Sequence, residues 1–265
     1  MQTTTGQPAI TGNVLFYSQP EPLSPEMHGK IGVKNMEGPF SFAKAGHAVP
    51  LTVGEFASAV STGPIIFMGE EKLPVMVMGL NAGNNMFVRD DGLFDAGVYV
   101  PAYVRRYPFI FANDDNAKQM VLCIDRAAEF VVDTGFDRPF FEADGQPSEY
   151  TKACIEFCNN FEFERQKTQS FVQLLTDLDL FESKTANFTP VDGNGVAGAP
   201  QKIADYFGVS EDKLNRLPAE KYVELRDNGA LPQIHAHLIS LLGWDRLVAL
   251  TLMKQFEAQQ KAANT

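Results

Sequence analysis

SEYTKACIEFCNNFEFERQKTQSFVQLLTDL, residues 148–178, is where the chain changes character. Ser148 follows Pro147 and precedes Glu149, the arrangement of a helix N-cap with an acid in the first turn, where backbone N–H groups lack partners. Ile155, Phe157, Cys158, Phe161, Phe171, Val172, Leu175 and Leu178 then recur at helical spacing, so this segment is read as helix with one face in a core. Its middle, 162–169, is mostly polar, which leaves one bent helix and two shorter ones both open. Arg165 and Thr168 fall on or beside the apolar stripe, where a polar group needs an internal hydrogen-bond partner.

Upstream, residues 13–146 read mainly as short strands separated by turn residues: Asn13–Tyr17, Gly32–Lys34, Pro64–Met68, Val75–Leu80, Met86–Val88, Tyr107–Phe111 and Met120–Ile124. Thr52 and Glu55 have the spacing of a capping box, with Phe56, Ala59 and Val60 continuing at helical intervals. Asn81-Ala-Gly-Asn-Asn85 is rich in residues that tolerate positive φ and reads as a hairpin connection. Downstream, 183–200 reads as a loop and Lys202–Val209 as a returning strand. Short helices follow at Glu211–Arg216 and Pro218–Asp227, the second closed by Asn228-Gly229. A last, almost wholly apolar helix from Pro232 to about Gln255 reads as buried, with fraying after Glu257.

Size and composition suit a globular protein with a single core: 265 residues, 45% hydrophobic and rich in Phe. The 22 basic and 33 acidic residues give a net charge of −11, which repels phosphate backbones and anionic lipid and argues against nucleic-acid binding. Cys123, Cys154 and Cys158 are too few for a disulfide scaffold and fit a reducing compartment. The first twelve residues, read as a flexible N-terminus, lack the basic and apolar regions of a secretory signal. No apolar run is read as reaching the ~18–20 residues that span a bilayer. A soluble, cytoplasmic protein without membrane insertion is therefore expected.

Motifs that carry known chemistry are scarce. There is no phosphate-binding Gly-x4-Gly-Lys loop, no Gly-x-Ser-x-Gly elbow and no His-Glu-x-x-His helix. Gly193-x-Gly195-x-x-Gly198 spells a dinucleotide fingerprint, but Pro190 and Pro200 deny it the strand and helix that the mechanism needs. Cys154 and Cys158 share a helical face without a second ligand pair, so they read as core residues, and no metal or cofactor is expected. His235 and His237 are two apart and point in different directions.

The densest polar constellation is Val100-Pro-Ala-Tyr-Val-Arg-Arg-Tyr-Pro-Phe109. Read as extended chain, it sends Tyr103, Arg105 and Tyr107 one way and Val104 and Arg106 the other. Arg105 between two phenol rings could stack and offer its fork to a carboxylate or phosphate. The alternative is that an arginine pairs with an internal acid, such as Asp90, Asp91, Asp95 or Asp125.

These segments together resemble the SapC-like family. The likeness runs from about Asn13 to Leu250 and is carried by Pro50-Leu51, Glu55-Phe56, Gly63-Pro64-Ile65-Ile66-Phe67, Gly79-Leu80-Asn81-Ala-Gly83-Asn84 and Tyr99-Val-Pro101-Ala-Tyr103-Val-Arg105-Arg106-Tyr107-Pro108-Phe109. It continues through Thr168 and Phe171 to Lys213-Leu214-Asn215, Gly229-x-Leu231 and Ile234-x-Ala236-His237-Leu238-x-Ser240-Leu241. The resemblance implies association with surface layers or peptide transport and supplies no catalytic residues.

The resulting expectation is an α+β fold, an N-terminal, largely antiparallel sheet packed against C-terminal helices. One domain spans 1–265, with a mainly β layer at 13–146 and a mainly helical layer at 147–257. The expected role is that of a non-enzymatic accessory protein. It would bind an anionic group of a peptide, protein or metabolite through Tyr103, Arg105, Arg106, Tyr107, Asn81 and Asn84. An enzyme that modifies or hydrolyses a peptide or metabolite and a homo-oligomeric scaffold are the alternatives.

Overall fold

The computed structural model describes residues 14–114, 119–189 and 198–263. Its strands are β1 (Pro20–Pro22), β2 (Gly32–Val33), β3 (Ala48–Pro50), β4 (Ile65–Met68), β5 (Leu73–Val77) and β6 (Phe109–Asp114). They continue with β7 (Gln119–Asp125), β8 (Val131–Val132), β9 (Arg138–Pro139), β10 (Phe181–Phe188) and β11 (Gln201–Val209). The helices are α1 (Pro25–His28), α2 (Phe56–Ala59), α3 (Ala102–Arg105), α4 (Glu149–Asp177), α5 (Glu211–Asn215), α6 (Ala219–Asp227), α7 (Ala230–Ser240) and α8 (Gly243–Ala263). The fold is α+β, its strands paired antiparallel in the orders β1-β7-β6, β8-β2-β9 and β10-β11-β4-β5-β3.

The chain divides into two compact units, each assembled from separate stretches. The first comprises Met1–Ala43, Asp90–Leu93 and Tyr103–Phe163, the second Lys44–Arg89, Phe94–Ala102 and Glu164–Thr265. Both units carry strands and helix.

In the first unit β1 lies on β7, with Pro20 opposite Asp125 and Pro22 opposite Cys123. Ile31, Val33, Phe109, Leu122, Ile124, Phe140 and Phe141 bury one core, into which Cys158 of α4 packs. Ser148 caps α4 as its sequence position predicts: its hydroxyl accepts the Thr151 amide at 3.2 Å and donates to the Pro139 carbonyl at 2.7 Å. α4 is one helix of 29 residues, and its buried face is Thr151, Cys158, Phe161, Thr168, Phe171 and Leu175.

The second unit is built around stacked aromatic edges. Phe56 meets Phe67 and Phe171 edge-on, and Phe67 meets Phe181 at 4.9 Å between centroids. α7 packs on α2 and on the strands β4 and β11. The strands β4 and β11 pair only at Phe67–Phe207, and side chains of α7 complete the join. His237 donates from Nδ1 to the Ile65 carbonyl at 2.8 Å and accepts the Val209 amide on Nε2 at 3.0 Å. Ser240 accepts the Ile65 amide at 2.9 Å and donates to the His237 carbonyl at 2.6 Å. Burial lowers the His237 pKa to about 4, so its ring is neutral and its tautomer is fixed by these two backbone partners. His235 is exposed.

Several expectations need correction. The strand β10 runs on to Phe188, so the loop read from Ser183 starts later. Asn13–Tyr17 is not a strand over its described residues, and Met86–Val88 contributes only the isolated bridge of Val88 with Phe94. The Gly193–Gly198 motif lies, apart from Gly198, outside the described residues, as does the N-terminal segment up to residue 13. Arg165 is exposed and is not part of the buried face.

The apolar C-terminal stretch is two helices, not one. α7 ends at Ser240, Leu241 and Leu242 form a turn, and α8 starts at Gly243, where a Cβ would approach the Pro64 nitrogen to 3.0 Å. Counted through that turn, Ala230–Lys254 is long and apolar enough to cross a bilayer by length and composition alone, contrary to the sequence reading. Only 28% of its apolar window is buried. It is therefore not the buried helix expected, and the helical backbone continues past Glu257 to Ala263.

Candidate functional site

The segment 100–109 is not extended. Ala102–Arg105 forms a helical turn, α3, so the period-two alternation fails and Tyr103 and Arg106 come to one side. The start of the turn is fixed by Glu55, which is 7% exposed. Its Oε1 accepts the Ala102 amide at 2.6 Å and the Tyr99 hydroxyl at 3.0 Å; its Oε2 accepts the Thr52 amide and hydroxyl, both at 2.8 Å. The predicted capping box is thus present, and its acid does a second job that local spacing does not reveal.

Arg106 is the residue held between rings. Its guanidinium carbon lies 4.2 Å from the Tyr103 centroid, 4.4 Å from that of Phe161 and 5.9 Å from that of Tyr17. Tyr17 donates to the Phe109 carbonyl at 2.6 Å and Tyr103 to the Leu15 carbonyl at 3.2 Å, so both phenol protons are committed. The guanidinium is within reach of both phenol oxygens, yet its buried Nε has no hydrogen-bond partner. Among the described residues no carboxylate lies within ion-pair distance of Arg106.

The titratable groups around it supply no countercharge. Burial raises the pKa of Tyr17 and of Tyr103 far enough that Arg106, which pulls both down, does not reverse it. Burial likewise pushes the Cys158 thiol up to about 12 against the same guanidinium. All three are therefore neutral near pH 7. Arg106 is half-buried, and among the described residues it meets ring faces and neutral phenols with no carboxylate to cancel its charge.

The other predicted site residues separate. Arg105 is exposed, with its guanidinium 5.3 Å from the Phe157 ring, so Arg106 and not Arg105 takes the position between aromatics. Tyr107 does not bracket an arginine: it stacks on Phe42 at 4.0 Å and donates to Asp125 at 3.1 Å. Asn81 and Asn84 are exposed in a turn closed by the Asn84 amide on the Asn81 carbonyl. They belong to the second unit, whereas Tyr103–Tyr107 belongs to the first.

Asp125, considered as an arginine partner, is wholly buried and spent elsewhere. Oδ1 accepts the Gln19 and Ala127 amides at 2.8 and 3.1 Å, and Oδ2 accepts the Ser18 amide at 2.9 Å beside the Tyr107 hydroxyl. Thr168 serves the fold as well. It accepts the Val53 amide at 2.8 Å and donates to the Glu164 carbonyl at 2.7 Å. Cys154 and Cys158 sit against the first unit's core, and burial raises the Cys154 thiol to about 11. Among the described residues no three His, Cys, Asp or Glu side chains converge as metal ligands would. Sequence reasoning missed Tyr17 and Phe161 as the neighbours of Arg106. Phe161 was visible as a stripe residue, but Tyr17 carries no local signal for a contact with a residue so far along the chain.

Comparison with known proteins adds one finding: the model of the family described as SapC matches residues 23–247. No curated protein and no solved structure is similar to the chain.

Proposed function

We propose that this chain, which belongs to the SapC family, is a non-enzymatic accessory protein that binds an anionic group of a peptide, protein or metabolite at Arg106. The observation that carries this reading is the guanidinium between Tyr103 and Phe161, surrounded by groups that burial keeps neutral. Two ring neighbours, at 4.2 and 4.4 Å, restrict the guanidinium, and its planar fork suits bidentate approach of a carboxylate or phosphate. A cytoplasmic location belongs to the same proposal and is supported by three free cysteines.

The test is calorimetric titration of the full chain with acetyl-amino-acid carboxylates and with phenyl phosphate. The expected result is saturable binding by one of the two sets that weakens with added salt. It falls at least about tenfold in Arg106→Met and recovers only partly in Arg106→Lys, which keeps the charge without the planar fork. Equal binding by wild type and Arg106→Met would remove the site from the account.

A further inference from the structure

The helix α8 leaves an apolar stripe uncovered. Leu247 and Thr251 face inward, and Lys254 reaches in to donate to the Met86 carbonyl at 2.8 Å. On the opposite face Leu242 is 75% exposed, Met253 60% and Phe256 61%, with Ala249 and Leu252 also exposed between them. Within α8 the spacing 249, 252/253, 256 is that of one helical face, and Leu242 stands in the turn just before it. Together with Ile239 on α7 these side chains expose roughly 500 Å² of apolar surface, at the upper range of what a monomer leaves bare without a partner.

We infer that this stripe pairs antiparallel with the same stripe of a second copy, about a two-fold axis between Leu252 and Met253. Three features of the helix favour that occupant. First, the face is self-complementary in size: the axis sets Phe256 against Ala249 of the second copy and Leu252 against its Met253, large against small at both ends. Second, the described charged side chains of α8 are Asp245, Glu257, Arg246 and Lys254, two acids and two bases. The described set is balanced in a chain of net charge −11, and the axis places Asp245 opposite the amide of Gln260 rather than opposite a second acid. Third, two such faces bury roughly 1,000 Å², the lower bound for a specific interface. A bilayer is the weaker occupant. The helix is interrupted at Leu241–Leu242, α8 carries four described charges, and the chain's net charge repels anionic lipid.

Sedimentation velocity of the full chain decides it. At roughly 100 μM the expected species has twice the 29.2-kDa chain mass, and Met253→Glu and Phe256→Glu each convert it to monomer with at least about a hundredfold weaker association. Because both positions are exposed, these variants keep the fold. In the proposed register Met253→Cys, next to the axis, cross-links to itself under mild oxidation, and Leu242→Cys does not. A wild-type monomer at that concentration overturns the inference, as does a dimer untouched by both substitutions. Flotation of a monomeric wild type with phosphatidylcholine vesicles, lost in Phe256→Glu, also overturns it and assigns the stripe to lipid.

Discussion

The first unit holds two charged side chains in opposite circumstances. Asp125 is fully buried and accepts three backbone amides and a phenol, so each oxygen has two donors. Arg106, nineteen residues earlier, packs against aromatic rings with a buried, unpaired Nε and, among the described residues, without a carboxylate. The cost of removing a charge from water is offset for Asp125 by hydrogen bonds that pin Ser18 and Gln19 ahead of β1. For Arg106 the fold offers ring faces and neutral oxygens. The difference separates a charge that builds the fold from one that, among the described residues, is left without a carboxylate partner.

The largest expected effect is on the satisfied side. Asp125→Ala strands three amides and the Tyr107 hydroxyl and should lower unfolding stability by about 3–5 kcal/mol in urea titration. A loss under about 1 kcal/mol would mean that the network is not the anchor described here.

His237 extends the comparison to the second unit, because it too is spent on backbone partners. Its folded pKa, about 4, lies below the ordinary 6.5. The unfolded chain therefore binds more protons between these values, and the stability contribution is complete above pH 6.5 and is lost as pH falls toward 4. The full change is about 3 kcal/mol, readable as a falling urea midpoint between pH 7 and 4 that flattens in His237→Gln. A third substitution, Thr168→Val, keeps the shape and deletes the acceptor of the Val53 amide. It should cost about 1–2 kcal/mol by thermal or urea unfolding.

How much of this was legible in the sequence follows from the range of each interaction. The Thr52–Glu55 capping box, the Ser148 cap and the Gly229 helix stop, with its φ of +78°, are set by residues within a few positions and were read correctly; at Asn81–Asn85 the turn forms, but it joins no hairpin, because Met86–Val88 is not a strand. The strand β10 was cut short because Ser183, Lys184, Thr185 and Asn187 are polar; pairing with β11 across a long connection is what makes them strand. The α3 turn was misread because two prolines and two tyrosines look extended in isolation, whereas Glu55 holds its first amide from far along the chain. The importance of the arginine pair was visible, but choosing Arg106 over Arg105 required knowing that the segment turns. The exposed stripe on α8 was hidden by apolarity itself, which looks the same whether a helix is buried or bare.

The smallest expected change is the most direct test of the central claim. Arg106→Met keeps the aliphatic packing between Tyr103 and Phe161 and deletes the charge. If no internal anion depends on that charge, the urea-unfolding free energy of the ligand-free variant stays within about 1 kcal/mol of wild type. A loss of about 3 kcal/mol or more would show an internal partner for the guanidinium and contradict the account.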